Sequence, residues 1–347
     1  MESRLPPGGR AISEMAGEST YIVDMAVMAV GFVVSFLVLP PVMRLMRSKG
    51  IVGVDVHKRN RPKIPEMGGV SILIGLTVSM AAASMVTPHA WSRLTAFLAA
   101  SVTAGLIGAV DDLRPLNAKV KPLLTMLAGV PILVLRAYNP YLALPIVGYT
   151  RLTVVYPLLI LPAIAVCSNA VNMMDPFNGT MTGTCSIISL VLLISALVLG
   201  RPEAAVMSAG LLGSLLALWY FNRYPSRVFV GDVGSLSVGA ALGAIAIIGR
   251  MEVIAVVSFM PQIMNAFYGL STIGRLYERR EVPRPIRVLE DGRLAVNPDP
   301  KAPITLARII LAKGPLTEEK AVKVFMAISA ISGALALLTM CMMLVMT

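Results

Sequence analysis

Long apolar runs recur along almost the whole chain, and they constrain the fold more than any other feature. Ten segments are mainly apolar: about residues 21–43, 67–86, 94–110, 122–136, 153–171, 181–199, 203–221, 235–249, 252–271 and 322–346. A helix that crosses a bilayer needs about 20 such residues. Charged residues make up only 14% of the chain, against about 25% in soluble domains. The sequence therefore predicts an all-α integral membrane protein with about ten transmembrane helices.

The N-terminal segment differs in composition from the rest. Residues 1–20 are polar and contain Gly, Pro and acidic side chains, so we interpret them as a disordered tail outside the membrane. The apolar run that follows is too long for a signal peptide, and it leads into a basic cluster rather than a cleavage site. Residues 21–347 are therefore expected to form a single polytopic domain.

The basic residues divide unequally between the two sets of alternating loops. Of the 30 Lys and Arg residues, 23 fall in or beside one set and seven fall on the other side. The basic set comprises residues 44–66, 111–121, 172–180, 222–234 and 272–321. Because cytoplasmic loops carry an excess of Lys and Arg, this set is predicted to be cytoplasmic, with both termini outside. The same asymmetry explains the net charge of +11 without a nucleic-acid partner.

The long loop, residues 272–321, contains two recognisable patterns. Two β-favouring arms flank Asp291-Gly292, which predicts a hairpin with a two-residue turn. The stretch "TLARIILAKG" predicts an amphipathic helix on the membrane surface or a covering lid. The apolar face of that helix would consist of Leu306, Ile309 and Ile310.

Acidic and amide side chains gather at the predicted cytoplasmic ends of three apolar segments. They are Asp111, Asp112, Asn169, Asn172, Asp175 and Asp232. A charged residue deep in a bilayer costs at least about 2.5 kcal/mol, so such groups rarely persist without a partner. Together with the basic loops on the same face, these clusters suit a divalent cation that holds a diphosphate.

Each cluster also has a simpler structural interpretation. Asp111 and Asp112 point about 100° apart on a helix, so one can face a metal or phosphate while the other pairs with a lysine. Both could equally be solvated at a helix end. The asparagines near residue 170 lie along one helical face and could form a polar cap, and Asp232 looks like a helix N-cap. The coincidence of all three clusters on one membrane face favours a functional site.

At these residues the sequence resembles the polyprenyl-phosphate N-acetylhexosamine-1-phosphate transferase superfamily. The segments "VDDLRPLNAKVK", "NAVNMMDPFNGT" and "VFVGDVGS" carry the resemblance. Within the superfamily, "GVDVHKRNRPKIPEMGGV" and "LAKGPLTEEK" are most similar to the UDP-GlcNAc–dolichyl-phosphate GlcNAc-1-phosphate transferases of eukaryotes and archaea. The bacterial cell-wall members carry a histidine-rich motif in the long loop, and no histidine occurs in that loop here.

The resemblance implies roles for individual residues. Mg²⁺, or Mn²⁺ in its place, would be bound by Asn172 and Asp232. Lys121 would bind the lipid phosphate, and Asp111 or Asp112 would orient or deprotonate it. The residues implied to contact the nucleotide sugar are Asp55, Glu66 and Asn178, with Arg284 and Arg287 on its diphosphate. Two departures from the family pattern matter: Asp175 follows the bacterial pattern, and "VPRPIRV" leaves Arg279 and Arg280 as alternative diphosphate ligands.

The implied reaction transfers GlcNAc-1-phosphate from UDP-GlcNAc to dolichyl or polyprenyl phosphate, the first step of lipid-linked oligosaccharide synthesis for N-glycosylation. A related transferase that uses another UDP-HexNAc or UDP-MurNAc-pentapeptide is one alternative. An ion-coupled transporter is another, although it would carry its ionisable groups near mid-membrane. The short outside loops favour an archaeal cell membrane over the endoplasmic reticulum. A homodimer is left open.

Overall fold

The computed structural model describes residues 7–145, 148–274, 276 and 281–345, and these are mostly helical. The helices are α1 (Pro7–Ser48), α2 (Val70–Val86), α3 (Trp91–Leu113), α4 (Val120–Thr125), α5 (Val130–Val134), α6 (Val155–Met173), α7 (Thr180–Val198), α8 (Pro202–Asn222), α9 (Gly231–Gly249), α10 (Glu252–Ser258), α11 (Met260–Ile273), α12 (Leu306–Ile310) and α13 (Glu318–Leu344). Short strands form three antiparallel hairpins: β1 (Val52–Val54) with β2 (Lys63–Pro65), β3 (Tyr141–Leu144) with β4 (Gly148–Arg151), and β5 (Ile286–Val288) with β6 (Leu294–Val296).

Seven helices in the described part of the chain are long and apolar enough to cross a membrane. They are α1 from Tyr21 onward, α3 with its preceding 3₁₀ turn, α6, α7, α8, α9 and α13. Helices α10 and α11 pass the same test together and are bent by 64°, as a broken span or a re-entrant loop would be. Helix α2 and the α4–α5 unit are shorter and apolar. Each predicted segment coincides with one of these units, which confirms a mainly helical protein with helices of membrane-spanning length.

Helix α1 begins earlier than the sequence indicated. A disordered tail was predicted over residues 1–20, whereas the helix includes the chain from Pro7 onward. Residues 11–16, "AISEMA", contain Ala, Glu and Met, which have high helix propensity. Extending an existing helix adds one hydrogen bond for each residue that is fixed, so the apolar helix propagates towards the N-terminus.

Helices α8 and α9 form the centre of the bundle. The apolar window of each is 83% buried inside the protein, against 28% in α1. Small residues in both helices allow neighbouring backbones to approach closely. A Cβ added at Gly239 of α9 would lie 2.5 Å from the carbonyl oxygen of Cys167 in α6. A Cβ added at Gly108 would collide with the carbonyl group of Asp232, so the end of α3 packs directly on the start of α9.

The long loop before α13 packs onto the bundle through a second, smaller apolar core. This core consists of Met174, Phe177, Ile286, Leu294, Ala307, Leu311, Ala321 and Phe325. Those residues come from the turn after α6, hairpin β5–β6, α12 with the 3₁₀ turn after it, and the first turns of α13. The loop is therefore held against the ends of α6 and α13.

The predicted hairpin is present in this loop, but its two-residue turn is wrong. The Leu289 backbone N–H donates to the Arg293 carbonyl at 2.8 Å, and the Leu289 carbonyl accepts from the Gly292 N–H at 3.0 Å. These bonds leave a three-residue loop, 290–292. Gly292 has a φ of +82°, the left-handed conformation that such a loop commonly uses.

The predicted amphipathic helix is present as α12, with a partly different buried face. Leu306 and Ile310 pack against the small core as predicted. Ile309 is instead 42% exposed, and Ala307 is buried. Because α12 has five residues and continues as a 3₁₀ turn, its buried face shifts towards Leu311.

Hairpins β1–β2 and β3–β4 were not predicted, because strands of three or four residues show too little period-two alternation. Hairpin β1–β2 is attached to the segment that leads into α9. The Phe229 backbone N–H donates to the Pro65 carbonyl, and the Gly68 N–H donates to the Phe229 carbonyl, both at 2.8 Å. The loop between α1 and α2 is thereby fixed beside the start of α9.

Candidate active site

Several helix ends meet at one end of the bundle and bring the predicted polar residues together. Asp111 and Asp112 lie in the last turn of α3, and Asn172 lies in the last turn of α6. Lys121 and Asp232 lie in the first turns of α4 and α9. The close packing of α3 on α9 allows these side chains to meet.

Lys121 is the centre of this cluster. Its Nζ atom lies 2.7 Å from Asp111 Oδ2 and 3.2 Å from Asn172 Oδ1, and it makes a third, short contact with Asp232 Oδ2. Asn172 Nδ2 donates to Asp232 Oδ1 and to Ser235 Oγ, both at 2.8 Å. The lysine side chain is only 15% exposed, so two carboxylates, rather than water, offset most of its charge.

The two adjacent aspartates have different partners. Asp111 faces the lysine through Oδ2, while its Oδ1 accepts from the Leu116 backbone N–H at 2.5 Å. Asp112 accepts from the backbone N–H groups of Asp232 at 2.7 Å and Val233 at 3.0 Å. Asp111 therefore belongs to the lysine cluster, whereas Asp112 binds amides at the start of α9 that have no partner within their own helix.

The interpretation of Asp232 as a helix N-cap is wrong. Helix α9 begins at Gly231, so Asp232 already lies inside its first turn. Asp112 supplies the cap from α3. The Asp232 carboxylate faces Lys121 and Asn172 instead.

The predicted polar face at the end of α6 divides along the helix. Asn172 joins the lysine cluster, but Asn169 Nδ2 donates to Thr125 Oγ1 at 2.8 Å, at the end of α4. Helix α6 ends at Met173, so Asp175 lies in the turn beyond it. The helix ends here because a proline at position 176 disfavours helical geometry in the residue before it.

Asn172 and Asp232 could hold a magnesium ion. Their side chains are adjacent and offer an amide oxygen and a carboxylate, the hard oxygen ligands that Mg²⁺ prefers. In proteins Mg²⁺ usually keeps several waters and adds substrate phosphate oxygens to one or two carboxylates. No group of three or more His, Cys, Asp or Glu side chains within the described residues is arranged to hold a metal. An ion here would therefore depend on ligands from substrate and water.

A second buried cluster joins the loop after β1, the turn after α6 and the start of α13. Asn178 Nδ2 donates to Asp55 Oδ2 at 3.0 Å, and the Asn178 backbone N–H donates to Glu318 Oε1 at 2.9 Å. Lys58 forms a short ion pair with Asp55. Burial raises the pKa of Asp55, but the hydrogen bonds and charge of Lys58 and Asn178 outweigh it, and the net pKa is lowered. The structure thus brings together Asp55 and Asn178, as the sequence implied.

Glu66, also implied to contact the nucleotide sugar, lies near Asp232. Burial raises the pKa of Glu66, and the negative charge of Asp232 raises it further. Glu66 directly follows β2, whereas Asp55 directly follows β1. Because the two strands are antiparallel, these residues lie at opposite ends of the hairpin. Hairpin β1–β2 therefore carries one acidic residue to each cluster.

A cavity of about 530 Å³ lies between the loop after β1 and hairpin β5–β6. Its basic lining residues are His57, Lys58, Arg59, Arg61, Arg284 and Arg287. The two arginines proposed from the sequence, Arg284 and Arg287, therefore line one space, which also adjoins the second cluster through Lys58. Guanidinium groups bind phosphate oxygens in a bidentate manner, so this cavity suits a diphosphate. The alternatives Arg279 and Arg280 lie outside the described residues.

Sequence reasoning missed several of these residues. Lys58, Arg59 and Arg61 belong to the run "HKRNRPK", within a segment that carries the family resemblance, but the sequence assigned none of them an individual role. Glu318 lies in "GPLTEEK", where the resemblance to the family was the available signal. Ser235 ends the segment "VFVGDVGS", which carries the family resemblance, but the sequence assigned it no role.

The fold and the clusters define a helical membrane protein with a polar, phosphate-compatible site at one end of its bundle. The model of glycosyl transferase family 4 matches residues 94–250, a range that contains the whole lysine cluster. A protein of Methanocaldococcus jannaschii, provisionally named as a glycosyltransferase, is 32% identical over 290 residues, or 82% of this chain and 87% of that protein. The chain therefore belongs to glycosyl transferase family 4.

Two further relatives have more specific names. A Saccharolobus solfataricus protein, provisionally named as a UDP-N-acetylglucosamine–dolichyl-phosphate N-acetylglucosaminephosphotransferase, is 25% identical over 312 residues, which cover 89% of this chain and 94% of the relative. The phospho-N-acetylmuramoyl-pentapeptide-transferase of Moorella thermoacetica is 33% identical over 261 residues, covering 70% of this chain and 78% of that enzyme. These similarities confirm the family resemblance drawn from the motifs.

Proposed function

We propose that the protein transfers GlcNAc-1-phosphate from UDP-GlcNAc to dolichyl or another polyprenyl phosphate, forming lipid-linked diphospho-GlcNAc and UMP. The observation that carries this proposal is the position of Lys121 between Asp111, Asp232 and Asn172. The separate basic cavity beside hairpin β5–β6 offers a place for the donor diphosphate. Family membership and the name of the Saccharolobus relative support it.

Both substrates are anionic, so the site must first offset their mutual repulsion. The basic cavity would hold the donor diphosphate, chiefly through Arg284 and Arg287. Lys121 would bind the acceptor phosphate through its ammonium group, whose position Asp111 and Asn172 fix. Because carboxylates offset most of the charge of Lys121, the net positive charge would come from the cavity arginines and from Mg²⁺. Pre-positioned positive charge of this kind stabilises the charge that develops during phosphoryl transfer.

The reaction requires little acid–base chemistry. An oxygen of the lipid phosphate forms a bond to the β-phosphorus of the donor, and the bond from that phosphorus to the bridging oxygen breaks. The bridging oxygen leaves with UMP. A phosphate oxygen is already anionic near neutral pH, so the role proposed for Asp111 is to orient Lys121 and the acceptor. Asp112 would contribute by fixing the start of α9, through its two backbone hydrogen bonds.

Asn172 and Asp232 would hold Mg²⁺, or Mn²⁺ in its place, and the ion would neutralise charge on the donor diphosphate. Asp55 and Asn178 would contact the uridine or the sugar, since they are buried together beside the basic cavity. Glu66 would act between the two groups, because it lies near Asp232 at the other end of hairpin β1–β2.

The membrane arrangement proposed here has ten spans, both termini outside and the site at the cytoplasmic face of the cell membrane. The seven candidate spans support this arrangement, and ten crossings would result if the bent α10–α11 pair and the two shorter helical units each crossed once. Single cysteines placed at Asp291 and Arg201 in a cysteine-free background should therefore label from opposite faces of sealed cells. Labelling of both from the outside would reject this topology.

A related transferase is the alternative, and the Moorella relative favours it at 33% identity. An ion-coupled transporter fits less well, because Asp111, Lys121 and Asp232 all lie in terminal helical turns rather than near mid-membrane. To test the proposal, purified protein would be incubated with dolichyl phosphate, Mg²⁺ and labelled UDP-GlcNAc or UDP-MurNAc-pentapeptide. Labelled lipid from UDP-GlcNAc alone is expected. Labelled lipid from the pentapeptide donor alone would establish the alternative.

A further inference from the structure

Asn265 of α11 connects two functional regions that are far apart in the sequence. The side chain is almost fully buried, with 5% of the residue exposed. Its Nδ2 donates to the Met173 carbonyl at 2.9 Å, and its Oδ1 accepts from the Leu306 backbone N–H, also at 2.9 Å. A primary amide offers a donor and an acceptor in one group, so a single side chain completes both bonds.

Both backbone groups belong to helix ends that need outside partners. Met173 is the last residue of α6 and follows Asn172, the proposed metal ligand. Leu306 is the first residue of α12. The last carbonyls and the first N–H groups of a helix lack partners within it. Asn265 therefore satisfies the end of one helix and the start of another.

Helix α12 packs in the same small apolar core as hairpin β5–β6, termed the basic hairpin. Ala307 of α12 and Leu311 beyond it share the small apolar core with Ile286 and Leu294 of hairpin β5–β6. That hairpin carries Arg287, and Arg284 lies just before it. A contact that fixes the start of α12 therefore adds to the apolar contacts of Met174 and Phe177 that hold the basic hairpin beside the end of α6.

We propose that Asn265 is a positioning residue that aligns the diphosphate-binding hairpin with the metal-binding end of α6. It acts through the Met173 carbonyl and the Leu306 amide rather than on the substrate. This inference rests on the proposed function, since that function gives the hairpin and Asn172 a shared ligand. A second bond from the same helix, between the Ile304 N–H and Thr272 Oγ1 at 3.4 Å, supports the attachment of the loop to α11.

The Asn265 bridge is the pair of hydrogen bonds that Asn265 makes with the Met173 carbonyl and the Leu306 N–H. Leu306→Pro tests this bridge by deleting one backbone donor. Proline is well tolerated at the first position of a helix, and Thr305, with φ −128° and ψ 163°, already has the conformation that a following proline requires. Leu306→Ala is the matched control, because it removes the side chain but keeps the N–H. Relative to this control, Leu306→Pro should raise the KM for UDP-GlcNAc about fivefold, the scale of one lost hydrogen bond. The KM for dolichyl phosphate and the melting temperature should match those of the control.

A double-mutant cycle with Asn265→Ala separates the bridge from general destabilisation. If Asn265 acts through the Leu306 amide, the KM of Asn265→Ala with Leu306→Pro should not exceed that of the worse single variant. Equal KM values for Leu306→Pro and Leu306→Ala, or additive effects in the cycle, would overturn the proposal.

Hydrogen exchange without substrate or metal gives a readout that is independent of activity. Asn265→Ala should accelerate exchange over residues 304–311, because the Leu306 N–H loses its acceptor. Unchanged exchange in Asn265→Ala would also overturn the proposal. Wild-type protein that fails to use UDP-GlcNAc would instead reject the proposed function, and exchange would still report on the bridge.

Discussion

The Asp112 carboxylate accepts a hydrogen bond from the backbone N–H of Asp232 at 2.7 Å, so one acidic residue fixes the helix that presents another. Its other oxygen accepts from the N–H of Val233. Asp111, its neighbour, has an unrelated task, because it pairs with Lys121. The adjacent carboxylates are thus expected to respond differently to substitution.

Asp112→Ala should lower the thermal stability of the purified protein, because two amides at the start of α9 lose their acceptor. Loss of a helix cap typically costs about 0.5–2 kcal/mol. Asp111→Asn should lower the transfer rate with a smaller change in melting temperature, since the amide can still accept from the Leu116 N–H. Melting curves and initial rates would be measured on the same preparations. Equal losses of stability would contradict the separate roles.

Asp232→Asn should lower activity by about two orders of magnitude or more, the scale associated with removing a group that stabilises transition-state charge. The substitution keeps the size of the side chain and removes the charge that faces Lys121. Asp232 does not cap α9, so the melting temperature should change little. Asp291→Asn, on the exposed turn of hairpin β5–β6, is the control and should be silent. A variant that keeps most turnover at saturating Mg²⁺ would remove the proposed ligand role.

Glu318→Ala should weaken binding of UDP-GlcNAc, because Glu318 Oε1 holds the Asn178 backbone N–H at 2.9 Å. A hydrogen bond to a charged group contributes about 1.5–3 kcal/mol, so the KM for the donor should rise about tenfold or more. Glu318→Gln retains an acceptor and should rescue most of the loss. Glu319→Ala removes an exposed neighbour that pairs with Lys323, and it should leave both KM values unchanged. Equal effects at positions 318 and 319 would argue against the contact.

Sequence patterns predicted the helices because bilayer-length apolar runs are a strong signal. They also predicted that Asp111, Lys121, Asn172 and Asp232 lie at the same membrane face. The direction of each side chain was not predictable, since it depends on how helices pack. The close approach at Gly108, for example, lets Asp112 cap α9 and frees Asp232 to face the lysine.

The contacts of the second buried cluster, around Asn178, were not predictable from the sequence for a different reason. Asn178 and Glu318 are separated by 140 residues and meet through a backbone N–H, which leaves no pattern in the side-chain sequence. The β1–β2 strands have three residues each, too few for a periodic signal. Pairwise contacts between loops therefore required the three-dimensional structure.

Arg287→Ala should raise the KM for UDP-GlcNAc by about tenfold, because the arginine lines the basic cavity and charge-assisted hydrogen bonds are comparatively strong. The KM for dolichyl phosphate should be nearly unchanged. Arg293→Ala is a matched control on the same hairpin, since Arg293 is half-exposed and pairs with Asp291. Small, equal changes in both KM values for both variants would identify Arg287 as part of a solvated basic surface.

Glu66→Gln should stabilise the protein at neutral pH and lose that advantage in acid. Burial and the negative charge of Asp232 raise the pKa of Glu66 in the folded protein above its usual range. The folded state therefore binds this proton more tightly than the unfolded state, and stability falls as the pH rises through the folded pKa. Glutamine removes the buried charge and with it this loss. Melting temperatures from pH 5 to 8 should show Glu66→Gln above wild type at pH 8, with the difference shrinking as the pH falls. A difference that stays constant with pH would show that Glu66 does not titrate with a raised pKa.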